Sequence, residues 1–159
     1  MTLSTGALDF QGAQFSWRYT CYNANEPSPP LSWSGAPDGT QSFAVVLDAP
    51  ERPGGVGVNW LIFNVPADSS GLPEGVPKVG QLDNGAVQGV NDLGRNGYTA
   101  PCPPVLTPYT YRFTLYALDA QLGLGPEATA SDVQTATLGH VLDQAQITGI
   151  YLRPAWPWG

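Results

Sequence analysis

Tyr109-Thr-Tyr-Arg-Phe-Thr-Leu-Tyr-Ala-Leu118 alternates ring or aliphatic side chains with small or polar ones. A period of two is the pattern of a β-strand with one face in a core and the other half-exposed. Two more stretches read the same way. Gln41-Ser-Phe-Ala-Val-Val-Leu47 is apolar and β-branched, and Asn59-Trp-Leu-Ile-Phe-Asn-Val65 stops at Pro66. Weaker strand signals lie at Gln14–Thr20, Ala86–Val90 and Ile147–Leu152. Turn clusters separate them: Pro27-Ser-Pro-Pro30, Ala36-Pro-Asp-Gly39, Pro53-Gly-Gly55, Pro73-Glu-Gly75 and Pro101-Cys-Pro-Pro104. Their spacing predicts a mainly β fold, an antiparallel sandwich with long irregular loops. With 19 glycines and 16 prolines, a long helical bundle is excluded.

One segment carries a helical period. Leu138, Val141, Leu142 and Ala145 recur at i, i+3, i+4 and i+7 and predict a C-terminal α-helix. Ser131 and Gln134 upstream resemble a capping box, and Gly149 closes the segment. The 159 residues show no repeat, charge run or linker, so a single domain over 1–159 is expected.

The net charge is −7, and the six basic residues, Arg18, Arg52, Lys78, Arg95, Arg112 and Arg153, stand singly. That pattern offers no basic stripe for nucleic acid or an anionic membrane surface. No apolar run approaches the roughly 18 residues of a membrane span. The start, Met1 to Gly12, has neither a basic nor an apolar leader region, so a cytoplasmic location is expected.

The chemistry-bearing residues are few. His140 is the one histidine, and it falls inside the helical period, where it reads as packed or at the rim. No nucleophile elbow is present, and Pro53-Gly-Gly-Val-Gly57 lacks the lysine and helix of a phosphate-binding loop. No catalytic, metal or cofactor set results, so no enzyme is expected. Cys102 next to a carboxylate such as Asp48 would have its thiol pKa raised, the wrong direction for a nucleophile. Two cysteines, Cys21 and Cys102, allow either buried thiols or one long-range bridge.

Ser28-Pro-Pro-Leu-Ser-Trp-Ser-Gly-Ala-Pro-Asp-Gly-Thr-Gln-Ser-Phe43 resembles the bacterial and archaeal branch of the phosphatidylethanolamine-binding proteins. So do Asn64-Val-Pro-Ala67, Leu72-Pro-Glu-Gly75, Gln88-Gly-Val-Asn-Asp-Leu-Gly94, Gly97-Tyr98, Pro101-Cys-Pro-Pro104, Phe113-Thr-Leu-Tyr-Ala-Leu-Asp119 and Gly139-His-Val-Leu142. These run in family order from about residue 8 to 153. The resemblance implies two antiparallel sheets packed face to face with Greek-key links and a C-terminal helix. It also implies a small anion pocket at one end, built from a D-P-D-x-P motif, a histidine in an apolar strand, a G-P-C-P-P loop and an H-R-Y motif. Such a pocket takes phosphate, acetate or a phospholipid headgroup.

This chain departs from that pocket. In Asp48-Ala-Pro-Glu-Arg-Pro53 the first carboxylate is matched to Asp48, with Glu51 supplying the second after a one-residue insertion, or the second being lost. The family histidines become Asn59 and Tyr109, while Tyr111, Cys102, Pro103 and Pro104 are kept. The expected ligand-binding set is therefore Asp48, Asn59, Cys102, Pro103, Pro104, Tyr109 and Tyr111. Replacing two imidazoles by neutral donors should weaken phosphate binding by ~2–3 kcal/mol, about 30–150-fold. The expected function is small-ligand binding re-tuned toward a phosphorylated, zwitterionic or neutral headgroup. The alternative is a protein-interaction module, a kinase-pathway or protease modulator, with Pro154-Ala-Trp-Pro-Trp-Gly159 as a contact for a partner or a second copy.

Overall fold

The computed structural model describes residues 1–8, 14–55 and 57–155. Eight strands, β1 (Thr2–Thr5), β2 (Leu31–Ser34), β3 (Ser42–Ala49), β4 (Gly57–Pro66), β5 (Gly71–Leu72), β6 (Val87–Gln88), β7 (Pro108–Leu118) and β8 (Val141–Leu152), form two sheets. The small sheet has the order β1-β2-β5 and the large one β6-β4-β3-β7-β8, antiparallel throughout. After β3, β4 and β6, the chain returns to lay β7 beside β3, a Greek-key arrangement. Among the described residues one α-helix, α1 (Ala130–Thr137), lies between β7 and β8.

Strand parity divides the apolar residues into two layers. Phe43, Val45, Leu47 and Ala49 of β3 and Tyr111, Phe113, Leu115 and Ala117 of β7 face the small sheet, packing with Leu3, Leu31 and Trp33. Ala44 of β3, Leu61 and Phe63 of β4 and Leu118 of β7 face the other way and pack under Val133 of α1. The large sheet is thus covered on both faces near β6, and Trp60, Leu61, Ile62 and Phe63 of β4 are all fully buried.

The C-terminal third departs from its sequence reading. The helix is present but stops at Thr137, and its capping box is Thr129 with Asp132 rather than Ser131 with Gln134. Gly139 at φ 79° turns the chain out, and Val141–Leu152 runs as a strand along the whole of β7. Leu138, Val141 and Leu142, expected to be a helix face, stay exposed. The 3.6-residue spacing there was a coincidence. The ladder to β7 decided the conformation, because each strand residue gains cross-strand partners that an isolated helical turn lacks. Of the weaker signals, Gln14–Thr20 holds a 3-10 turn at Trp17–Tyr19, and Ala86–Val90 holds the two-residue β6.

Candidate functional site

A cleft of about 420 Å³ opens at one end of the sandwich. Ala49 ends β3 at its floor, and Arg52 follows from the next turn. β4 contributes Val58 and Asn59, and β7 contributes Tyr109 and Tyr111. The loops bring Cys21 and Glu26 from one side and Asp92, Leu93, Arg95, Thr99, Ala100 and Cys102 from the other.

Four of the seven expected residues, Asn59, Cys102, Tyr109 and Tyr111, meet here. Pro103 and Pro104 do not line the cleft; Pro103 is buried behind the loop and Pro104 is exposed, its carbonyl closing a turn with the Thr107 N–H. Asp48 is placed elsewhere. It stands on the opposite face of the sheet, directly across from Arg112, which grips it with two bonds, Nε to Oδ1 at 3.0 Å and Nη2 to Oδ2 at 2.7 Å. The reason is strand parity: Leu47 and Ala49 point inward, so Asp48 must point outward. The motif then aligns without an insertion as Ala49-Pro50-Glu51-Arg52-Pro53, and alanine, not aspartate, stands in the cleft.

Asp48 and Arg112 instead floor a second cleft of about 520 Å³, between the outer face of the large sheet and α1. The carboxylate raises the basicity of the Arg112 guanidinium beyond what burial takes away.

In the end cleft the charges come from residues that the motif reading passed over. The Arg52 guanidinium lies against Gly57, where a Cβ would sit 2.8 Å from its Nη1, so a larger residue there would push the arginine aside. Its Nη2 is 3.5 Å from Asp92 Oδ2, an oxygen that also accepts the Val58 N–H at 2.8 Å. Glu26 stands near Lys78 Nζ at 3.9 Å and accepts the Ala100 N–H at 3.4 Å. Arg95 has no carboxylate within salt-bridge distance among the described residues. The signals for these residues were present in sequence but needed the fold: Arg52 occupies the variable position of the D-P-D-x-P counterpart, and Asp92 sits in Asn91-Asp-Leu-Gly94.

The neutral groups are held firmly. Asn59 donates an N–H to the Thr99 carbonyl at 2.9 Å, leaving its Oδ1 for the cleft. The Tyr109 and Tyr111 rings lie 6.4 Å apart, and neither hydroxyl bonds to another described residue. Burial pushes the Tyr111 hydroxyl well above the ordinary tyrosine range, so it is a donor at any physiological pH. Cys21 and Cys102 form a disulfide across the cleft wall, with Cα atoms 5.3 Å apart. Of the two readings open in sequence, the bridge is the one realised, and a disulfide sulfur is no thiolate nucleophile. His140 lies outside the helix, in the turn before β8, with its Nδ1 2.7 Å from Asp119. No histidine lines either cleft.

A family model described as phosphatidylethanolamine-binding protein matches residues 7–152. The chain belongs to that family. It is 48% identical over 153 residues to a UPF0098 protein of Methanothermobacter thermautotrophicus, covering 96% of this chain and 99% of that one. Among solved structures it resembles the phosphatidylethanolamine-binding protein homolog CT736 of Chlamydia trachomatis (31% identical, TM-score 0.83, 95% of this chain and 96% of that one). It also resembles YbcL of Escherichia coli, at 30% identity and TM-score 0.82, covering 95% and 97%. Membership makes this a family-type binding protein with a mainly β, two-sheet fold. No helix among the described residues is long and apolar enough to cross a membrane.

Proposed function

We propose that this protein binds a small zwitterionic ligand of the phosphoethanolamine type in its end cleft. The observation that carries the reading is the presence of both signs of charge there, Arg52 and Arg95 beside Glu26 and Asp92, around the neutral donors and acceptors of Asn59, Tyr109 and Tyr111. Guanidinium groups suit a phosphate, and carboxylates suit an ammonium. With no imidazole present, a compact oxyanion would depend on the arginines, and the carboxylates oppose a bare dianion. With Asp48 on the other face, its repulsion drops out of that balance.

The experiment is an NMR titration of labelled protein with phosphoethanolamine, phosphate, ethanolamine and acetate. Phosphoethanolamine is expected to saturate with shifts at Asn59 and Tyr109, and more tightly than phosphate or ethanolamine alone. Tyr109→Phe, which removes one neutral donor, should weaken it about fivefold. Absence of saturable shifts for all four compounds would sink the reading.

A second reading, a modulator of a protein partner such as a kinase-pathway component or a protease, has one observation in its favour. Leu93 at the cleft, and Val105 and Leu106 in the loop that follows Cys102, are exposed large apolar side chains. The tail residues expected to form a contact, 156–159, lie outside the described residues. As to compartment, the cytoplasmic location expected from the N-terminus stands against the disulfide, since such bonds persist mainly in oxidising surroundings. Alkylation of protein taken from cells without reductant reads the redox state: two blocked cysteines mean a reducing compartment, none an intact bridge.

A further inference from the structure

We infer that the cleft has a second anion subsite, a cavity of about 340 Å³ walled by Lys78, Arg95, Asn96, Tyr98 and Thr99. The inference rests on the reading of the end cleft as a ligand site and extends it. Arg95 lines both cavities, so one guanidinium stands between them. The ligand class is then a phosphoethanolamine-type zwitterion that carries a second anionic group, its phosphate in the cleft and the added anion beside Lys78.

Three amide side chains hold the two cation-bearing loops in place. Asn91, 5% exposed, accepts the backbone N–H groups of Leu93 and Arg95 and donates to Gly97 O and Thr99 Oγ1. Asn96 donates to the carbonyls of Gln88 and Pro126. Gln88, fully buried, donates to the carbonyls of Pro77 and Val79, the two neighbours of Lys78. The loops also touch: a Cβ at Gly97, whose φ is 102°, would meet Lys78 Cα at 3.1 Å. Residues 78 and 95–99 thus form one rigid unit, and rigid display of charges lowers the ordering cost of binding.

The cations on this unit are at most loosely paired. Arg95 has no carboxylate partner among the described residues, and Lys78 reaches Glu26 only at 3.9 Å. In a chain of net charge −7 with six basic residues, Arg52, Lys78 and Arg95 all border these two adjoining cavities. Thr99 adds a hydroxyl at the shared wall.

The test compares phosphoethanolamine with phosphoserine, which adds one carboxylate to the same zwitterion, by calorimetry and by amide shifts. Phosphoserine is expected to bind about tenfold more tightly, the size of one charge-assisted contact. Lys78→Gln should erase that advantage and leave phosphoethanolamine unchanged, Lys78→Arg should keep it, and Arg18→Gln, which lines neither cavity, should keep it as well. Equal affinities in the wild type, or an advantage that survives Lys78→Gln, overturn the subsite. Shifts at Lys78 and Gly97 with none at Asn59 and Tyr109 leave the subsite standing and overturn the reading of the cleft. No shifts at either place overturn both.

Discussion

Asp48 and Ala49 are neighbours in the chain, yet they belong to different halves of the molecule. Asp48 closes an ion pair with Arg112 on the outer face, under the open side of α1. Ala49 forms the floor of the end cleft, among Asn59, Arg52 and the tyrosines. The outer cleft is larger, but its one charged pair is self-satisfied, and its remaining walls come from an apolar sheet face and a short helix. The end cleft is smaller and holds charges of both signs that are only loosely paired. Size alone would choose the outer cleft; unspent hydrogen-bonding capacity favours the end cleft.

The largest test of this contrast is the disulfide, which belongs to the end cleft alone. Cys21 and Cys102 are separated by 81 residues, and the chain-entropy model assigns such a link about 4–5 kcal/mol. A Cys21→Ser/Cys102→Ser variant should lose about that much in denaturant unfolding. Amide exchange should rise most in residues 17–26 and 99–107, and least where α1 meets the sheet. Uniform acceleration across both regions would show that the clefts are not independent.

Asp48→Ala acts on the other side. It leaves Arg112 half-buried and unpaired, at a cost of about 2 kcal/mol, less than for a fully buried pair because the guanidinium keeps some water. Phosphoethanolamine affinity should stay within about twofold of wild type. If binding vanishes while the variant stays folded, the assignment of Asp48 to the outer face is wrong.

The smallest effect is in acid. Glu74 is held down to about 2 by hydrogen bonds from Arg18 and Tyr19, against an ordinary 4.5. A folded-state value below the unfolded one means stability that is present above about pH 4.5 and lost as pH falls toward 2. Tyr19 is also joined to the cavity beside Lys78, since the Tyr98 hydroxyl donates to its carbonyl. Unfolding curves from pH 6 to 2 should fall less steeply for Glu74→Gln than for wild type. Parallel curves would remove Glu74 from the account.

Much of the fold was legible because its strong signals are local. The alternation in Tyr109–Leu118 became β7 with one added residue, and the apolar runs at Gln41–Leu47 and Asn59–Val65 became β3 and β4 within two residues at each end. The helix was misplaced because α1 buries only Val133 and so leaves almost no stripe to read. The stripe that could be read, at Leu138 to Ala145, lies mostly on a turn and a strand. In the site, Asn59, Cys102, Tyr109 and Tyr111 were legible from motif positions. Arg52, Arg95, Glu26 and Asp92 were not, because they come from separate loops whose proximity depends on how the sandwich closes.

The sequence by itself determined the class of fold, the order of the main strands and the family. Each of these is written in alternation, turn chemistry or residue identity along a short stretch of chain. Only the tertiary structure decided which side of β3 each residue serves, that two distant cysteines bridge, and which cations surround the cleft. Those depend on register and loop closure, where a shift of one residue exchanges one face of a sheet for the other.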